Sequence, residues 1–170
     1  MTTLNQHKAT NIFSIFLIVM TLTSFVSDTL TNNWKTYKNK DYKFLVKFPR
    51  SPNIVEEKGN NGKTISIQHL NDATGQMYYL SVFHSPNSLE IEGLRDLAIK
   101  TFTEELEGAL LESKDIENGK EAVISLGSDS FIIYQVQIVH DKMYQIIATT
   151  THPKQNDELK RYFNSFKVLK

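Results

Sequence analysis

Phe131-Ile-Ile-Tyr-Gln-Val-Gln-Ile-Val-His140, then Asp141-Lys142, then Met143-Tyr-Gln-Ile-Ile-Ala-Thr-Thr150, is the stretch that decides the fold. Ile132, Tyr134, Val136 and Ile138 fall on one side of an extended chain, and Gln135 and Gln137 fall on the other. After the Asp-Lys break, Tyr144, Ile146 and Ala148 again share a side. Period-two alternation marks strands, and a short polar break between two such runs marks a hairpin. These two strands are expected at the centre of an antiparallel sheet.

The same pattern continues upstream. Gly127-Ser128-Asp129 turns the chain out of a strand over 120–126, and Asn118-Gly119 turns it out of an alternating stretch from Leu110 through Ile116. Asn-Gly is a strong hairpin signal because both central positions of a type I′ turn need positive φ. Earlier, Tyr42, Phe44, Val46 and Phe48 share one face while Lys43 and Lys47 take the other, and Pro49 and Pro52 stop the strand because proline cannot donate to a ladder. A turn over 58–62 leads into a strand over 63–70 presenting Ile65 and Ile67, and a turn over 71–75 leads into 77–84, crowded with Tyr78, Tyr79 and Phe83. Aromatic residues on both sides of that strand predict a sheet covered on both faces.

Two segments change period. Leu94, Leu97, Ala98, Phe102, Leu106, Ala109 and Leu110 recur at three- and four-residue steps, which predicts an amphipathic helix over 89–106 or slightly beyond. Asn87 is its cap, Glu90 completes a capping box, and Gly108 frays its end. Leu159, Tyr162, Phe163 and Phe166 predict a second helix over 155–166, with Asn156 as its cap, and Val168 and Leu169 form a tail.

The N-terminus reads differently. Lys8, the apolar run Ile12-Phe-Ser-Ile-Phe-Leu-Ile-Val-Met20 and a small, polar stretch to Asp28 follow the order of an export signal. Even extended to Val26, the core is about fifteen residues, short of the roughly 20 that cross a bilayer. Cleavage after Ser24 or Ser27 is expected, the second placing Phe25 poorly; an uncleaved anchor is the alternative. No cysteine follows the run, so lipid attachment through one is excluded. The chain therefore divides into a signal peptide or anchor over 1–27, a polar spacer over 28–33 and a single domain over 34–170.

With 19 basic and 19 acidic residues, bulk electrostatics recruit neither nucleic acid nor acidic lipid. The absence of cysteine removes disulfides, thiol nucleophiles and cysteine metal sites together. Catalytic arrangements are equally thin. His69 and His84 sit near the ends of adjacent predicted strands and His140 ends another, but no two have ligand spacing, and partly exposed strand-end histidines are the preferred reading. His7 lies in the leader. Gly127-Ser128-Asp129-Ser130 lacks the second glycine of a nucleophile elbow, and Gly59-Asn-Asn-Gly62 lacks the Lys-Ser/Thr ending that holds phosphate. Glu56-Glu57 and Glu104-Glu105 are adjacent on single elements and read as solvated faces, not as two acids across a cleft. Thr149-Thr150-Thr151-His152 reads as a strand end, with an exposed binding edge as its alternative.

Four segments carry a family likeness: Trp34-Lys-Thr-Tyr37, Tyr42-Lys-Phe-Leu-Val-Lys-Phe48-Pro49, Val139-His-Asp-Lys-Met-Tyr144-Gln-Ile-Ile147 and Tyr162-Phe163-Asn-Ser-Phe166. Through them the chain resembles the PsbP-like superfamily over 34–169. That resemblance implies an α+β fold, an antiparallel β-sheet with helices packed on both faces in an α/β/α sandwich, and an interaction or assembly role. The plant-type members stabilise the manganese cluster of photosystem II, but none of their site residues maps onto this sequence. The expectation is an exported, non-catalytic protein, periplasmic or secreted, that binds another envelope protein. It uses no cofactor, metal or nucleic acid, and meets the membrane only through an uncleaved leader. The alternative is a carrier or sensor of a small apolar or amphipathic ligand held between helix and sheet.

Overall fold

The structure is a computed structural model that describes residues 34–59, 62–72, 74–85, 93–127 and 129–170. The leader, Asn87, Glu90 and Ser128 lie outside the described residues. Chain order is β1 (Lys35–Asn39), β2 (Phe44–Phe48), β3 (Asn53–Gly59), β4 (Gly62–Asn71), β5 (Gln76–His84), α1 (Leu94–Glu105), β6 (Ala109–Ile116), β7 (Gly119–Gly127), β8 (Ser130–Val139), β9 (Lys142–Thr150), α2 (Asp157–Ser165) and β10 (Lys167–Val168).

Seven strands form one sheet in the order β3-β4-β5-β9-β8-β7-β6, and β1-β2-β10 form a second. Every neighbouring pair is antiparallel. The β8–β9 hairpin occupies the middle of the large sheet, where its two alternating runs place it, and Val139 faces Lys142 across the two-residue turn.

Directly opposite residues share a face, so the register sorts the core into two halves. On the first face Tyr78, Leu80 and Val82 join Tyr144, Ile146 and Ala148, packed with Phe44, Val46, Phe48, Leu159, Tyr162, Phe163 and Phe166. On the second, Tyr79, Tyr134, Val136 and Ile147 pack with Ala98, Ile99 and Phe102. Tyr78 and Tyr79 thus point to opposite sides. The architecture is mostly antiparallel sheet with two helices. Helices alone were expected over the sheet; instead, α2 lies on β2 and shares the first-face core with the three-stranded sheet. That sheet is built from the strand ending at Pro49 and from the C-terminal tail, which pairs with it when Lys167 meets Leu45 and Val168 meets Phe44.

Asn156 caps α2 by accepting from the Leu159 amide at 2.8 Å, so its start is where the sequence put it. Helix α1 is shorter than its stripe implied. It is preceded by Gly93 at φ 77° and unwinds through Glu107 at φ 51°, so Ala109 and Leu110 belong to β6. Gly108 is needed for a close approach: a Cβ there would lie 2.7 Å from Ile124 Cγ2. Gly119 is likewise a packing glycine. A Cβ on it would collide with the Val136 carbonyl, while the positive φ of that hairpin is carried by Asn118 at 59°.

Strand β3 was not foreseen. Its residues from Asn53 to Lys58 are exposed, so no inside-outside contrast is written into them.

Candidate functional site

The loops and strand ends around β4, β5 and α2 gather the most ligand-like set of side chains. Trp34, just before β1, is half-buried against the first-face core. Arg161, on the outer side of α2, places its guanidinium carbon 4.7 Å from the Trp34 ring centroid, a cation–π contact. Trp34 meets Tyr78 edge-on at 6.2 Å, and His69 stacks on Tyr78, also at 6.2 Å. Tyr162 closes the cluster from below, 5.1 Å from Tyr78.

Local structure fixes these positions. His69 and Tyr78 are direct partners in the β4–β5 ladder, and Arg161 and Glu158 are carried on a capped helix. The Tyr78 hydroxyl donates to Gln76 Oε1 at 3.0 Å. Burial, then the nearby Glu158 carboxylate, raises the pKa of that phenol well above its ordinary value. Burial, then Arg50, lowers the pKa of His69, against the smaller pull of Asp72 and Glu158. The imidazole is therefore neutral near pH 7. The result is an aromatic centre rimmed by Arg50, Asp72, Glu158 and Arg161.

His84 lies elsewhere. Antiparallel pairing sends it to the opposite end of the sheet, against Lys63, so the histidines expected near one edge do not converge. Among the described residues, no group of three or more His, Cys, Asp or Glu side chains could hold a metal ion. His84 Nε2 sits 2.7 Å from Asp141 Oδ2, and Lys142 donates to Asp141 Oδ1 at 2.7 Å. The Lys142 hydrogen bond is the larger cause of a lowered Asp141 pKa. This pair clamps the β8–β9 turn.

A second polar cluster was invisible in the sequence. The Glu121 side chain is only 7% exposed, yet Lys114 reaches its Oε1 at 2.7 Å. Gln135 and Gln155 donate to its Oε2 at 2.7 and 2.9 Å. The arrangement ties the loop before α2 to the large sheet. On the second face, Ser66, Ser81 and Gln145 line up across β4, β5 and β9. Tyr79 donates to Ser66 at 2.9 Å, and Gln145 donates to the Tyr134 hydroxyl at 2.8 Å. Only cross-strand register brings these residues together, and register is not written in any one segment.

Of the remaining candidates, Thr149 and Thr150 spend their hydroxyls locally, accepting from the amides of Met77 at 2.8 Å and His152 at 3.2 Å. Glu104 is exposed, as read. Glu105 departs from that reading: its Oε2 is buried without a hydrogen-bond partner, and burial raises its pKa.

Among solved structures, the chain is similar to cyanobacterial PsbP (CyanoP) from Synechocystis sp. PCC 6803, at 11% sequence identity and a TM-score of 0.54, over 85% of this chain and 98% of that one. The fold is PsbP-like. A crystal structure from Bacteroides thetaiotaomicron aligns at 14% identity and a TM-score of 0.44, over 80% of this chain and 48% of that one. No protein-family model matches, and no curated protein matches. At such identity a PsbP-like fold speaks for architecture alone. No described helix is long and apolar enough to cross a membrane.

Proposed function

We propose that this chain is a non-catalytic, exported accessory protein that works by contact with another protein of the cell envelope, and that Trp34 and Arg161 anchor that contact. The carrying observation is the guanidinium stacked on a half-buried tryptophan, backed by Tyr78 and His69 and rimmed by four charged groups. Trp, Tyr and Arg dominate the few residues that carry binding energy at protein interfaces, where a packed centre is sealed by a polar rim. Export is supported by the Lys8 leader, and an accessory role by the sequence resemblance carried by the segments from Trp34 to Phe166. On this reading the layers form an α/β/α sandwich, one outer layer of which mixes helix with strands.

The carrier alternative asks for space between helix and sheet. Phe102 instead lies 4.6 Å, ring to ring, from Tyr134, and Ala98, Ile99 and Phe102 are all buried, which speaks against it.

The test is native mass spectrometry of the protein recovered gently from its host's envelope. A second polypeptide in fixed ratio is expected with the wild type and not with Arg161→Glu. This variant changes an exposed side chain and should melt within about 0.5 kcal/mol of wild type. Retention of the partner by Arg161→Glu would remove the cluster from the contact. A bound small molecule in place of a polypeptide would overturn the reading.

A further inference from the structure

Strand β6 ends the seven-stranded sheet on the side away from β3. No described strand pairs with its outer edge. Ala109 through Asp115 are exposed, Leu111 most of all among large apolar side chains, at 54%. Such an edge is a template for another strand, and the question is which strand its side chains accept.

A twofold axis perpendicular to a sheet preserves its faces, and directly opposite residues of an antiparallel pair share a face. When two copies of one edge strand join in this way, the axis must therefore pass through a residue, never between two. That leaves few registers for β6. An axis at Glu112, Lys114 or Asp115 sets a charged residue against its own copy. An axis at Leu111 falls in the bulge between Leu110 and Glu112. An axis at Ser113 sets serine against serine and brings Glu112 of each copy opposite Lys114 of the other, all on the regular side of the bulge. Opposite charges directly across a ladder stabilise it, and like charges destabilise it.

The other edge offers nothing equivalent. In β3, an axis at Glu56, Glu57 or Lys58 opposes like charges, and an axis at Val55 pairs Ile54 with Glu56. Lys114 is also already in place. Glu121 holds its ammonium on the first face, the face that Glu112 shares, while the side chain stays 56% exposed. An ammonium has donors to spare for a second carboxylate.

We propose that β6 pairs antiparallel with β6 of a second copy about a twofold axis at Ser113, so that the two seven-stranded sheets continue into one. The proposal is independent of the Trp34 contact, which lies toward the opposite edge, and each copy keeps that cluster free.

The absence of cysteine makes the test direct. Directly opposite residues have Cα atoms about 4.5–5.5 Å apart, inside the span a disulfide bridges. Full-length protein carrying Ser113→Cys should form a covalent dimer under mild oxidation at least about tenfold faster than Asn53→Cys on β3, and adding Glu112→Lys should abolish the difference. In sedimentation, wild type and Arg161→Glu should run as dimers, while Glu112→Lys should need at least about tenfold higher concentration to associate. A monomer at every concentration, equal cross-linking at Ser113 and Asn53, or a dimer indifferent to Glu112→Lys would each overturn the proposal.

Discussion

The two faces of the large sheet are filled by different means. On the first face the fill is aromatic, with Tyr42, Phe44, Phe48, Tyr78, Tyr144, Tyr162, Phe163 and Phe166 in one cluster. Its hydroxyls reach across the chain: Tyr144 donates to the Tyr42 carbonyl at 3.0 Å, and Tyr162 donates to the Tyr79 carbonyl at 2.8 Å. On the second face one helix lies on Ile132, Val136, Ile138 and Ile147, with Tyr79, Phe102 and Tyr134 as its aromatic members. The polar row of Ser66, Ser81 and Gln145 runs beside them. Rings with polar tips fix distant segments to one another, whereas aliphatic side chains fill space without fixing a partner.

The sharpest way to break this contrast is truncation. Phe44→Ala removes a fully buried ring and should destabilise the protein by about 3–5 kcal/mol, against about 1 kcal/mol for Ile147→Val on the second face. Paired urea titrations decide it, and similar midpoint shifts would mean that the faces do not differ. A finer probe keeps the ring and removes only its tip. Tyr162→Phe leaves the Tyr79 carbonyl without this donor and should cost about 1 kcal/mol, with hydrogen exchange quickening in α2 and β10 before it does in β6–β8. Uniform quickening would show that the hydroxyl does not dock the C-terminal helix.

The smallest effect belongs to the second face. The raised pKa of Glu105 means that folding favours its protonated form, so above that pKa the carboxylate opposes folding, and the opposition fades as pH falls toward the unfolded value of 4.5. Glu105→Gln should therefore gain a few tenths to about 1 kcal/mol at pH 7 and almost nothing at pH 4. Thermal melts at the two pH values are sufficient. A loss of stability at pH 7 would mean that the carboxylate has a partner to lose.

What could be read in the sequence follows from what alternates. β8 declared itself because Ile132, Tyr134, Val136 and Ile138 alternate with Gln135 and Gln137, even though Gln135 is itself buried, donating to Glu121. α2 declared itself through Asn156 and the step from Leu159 to Phe163. β3 did not, since a strand exposed on both sides has no periodic signature. Val168 and Leu169 were too few to reveal a pairing with β2, which lies more than a hundred residues upstream. The candidate site divides in the same way. Trp34, Tyr78 and His69 were noticed one by one, but Arg161 was an ordinary charge on a helix until the fold laid it on the tryptophan. Glu121 was one acid among many until cross-strand register surrounded it with Lys114 and Gln135.

The pairing of β10 with β2 also orders events in time. Leu169 donates to the Lys43 carbonyl at 2.8 Å, and Lys167 lies opposite Leu45. On a ribosome adding about 5–20 residues each second, β2 therefore waits roughly 6–25 seconds for the strand that completes its sheet. Throughout that interval Phe44, Val46 and Phe48 lack the covering that Phe163, Phe166 and β10 give them in the finished fold.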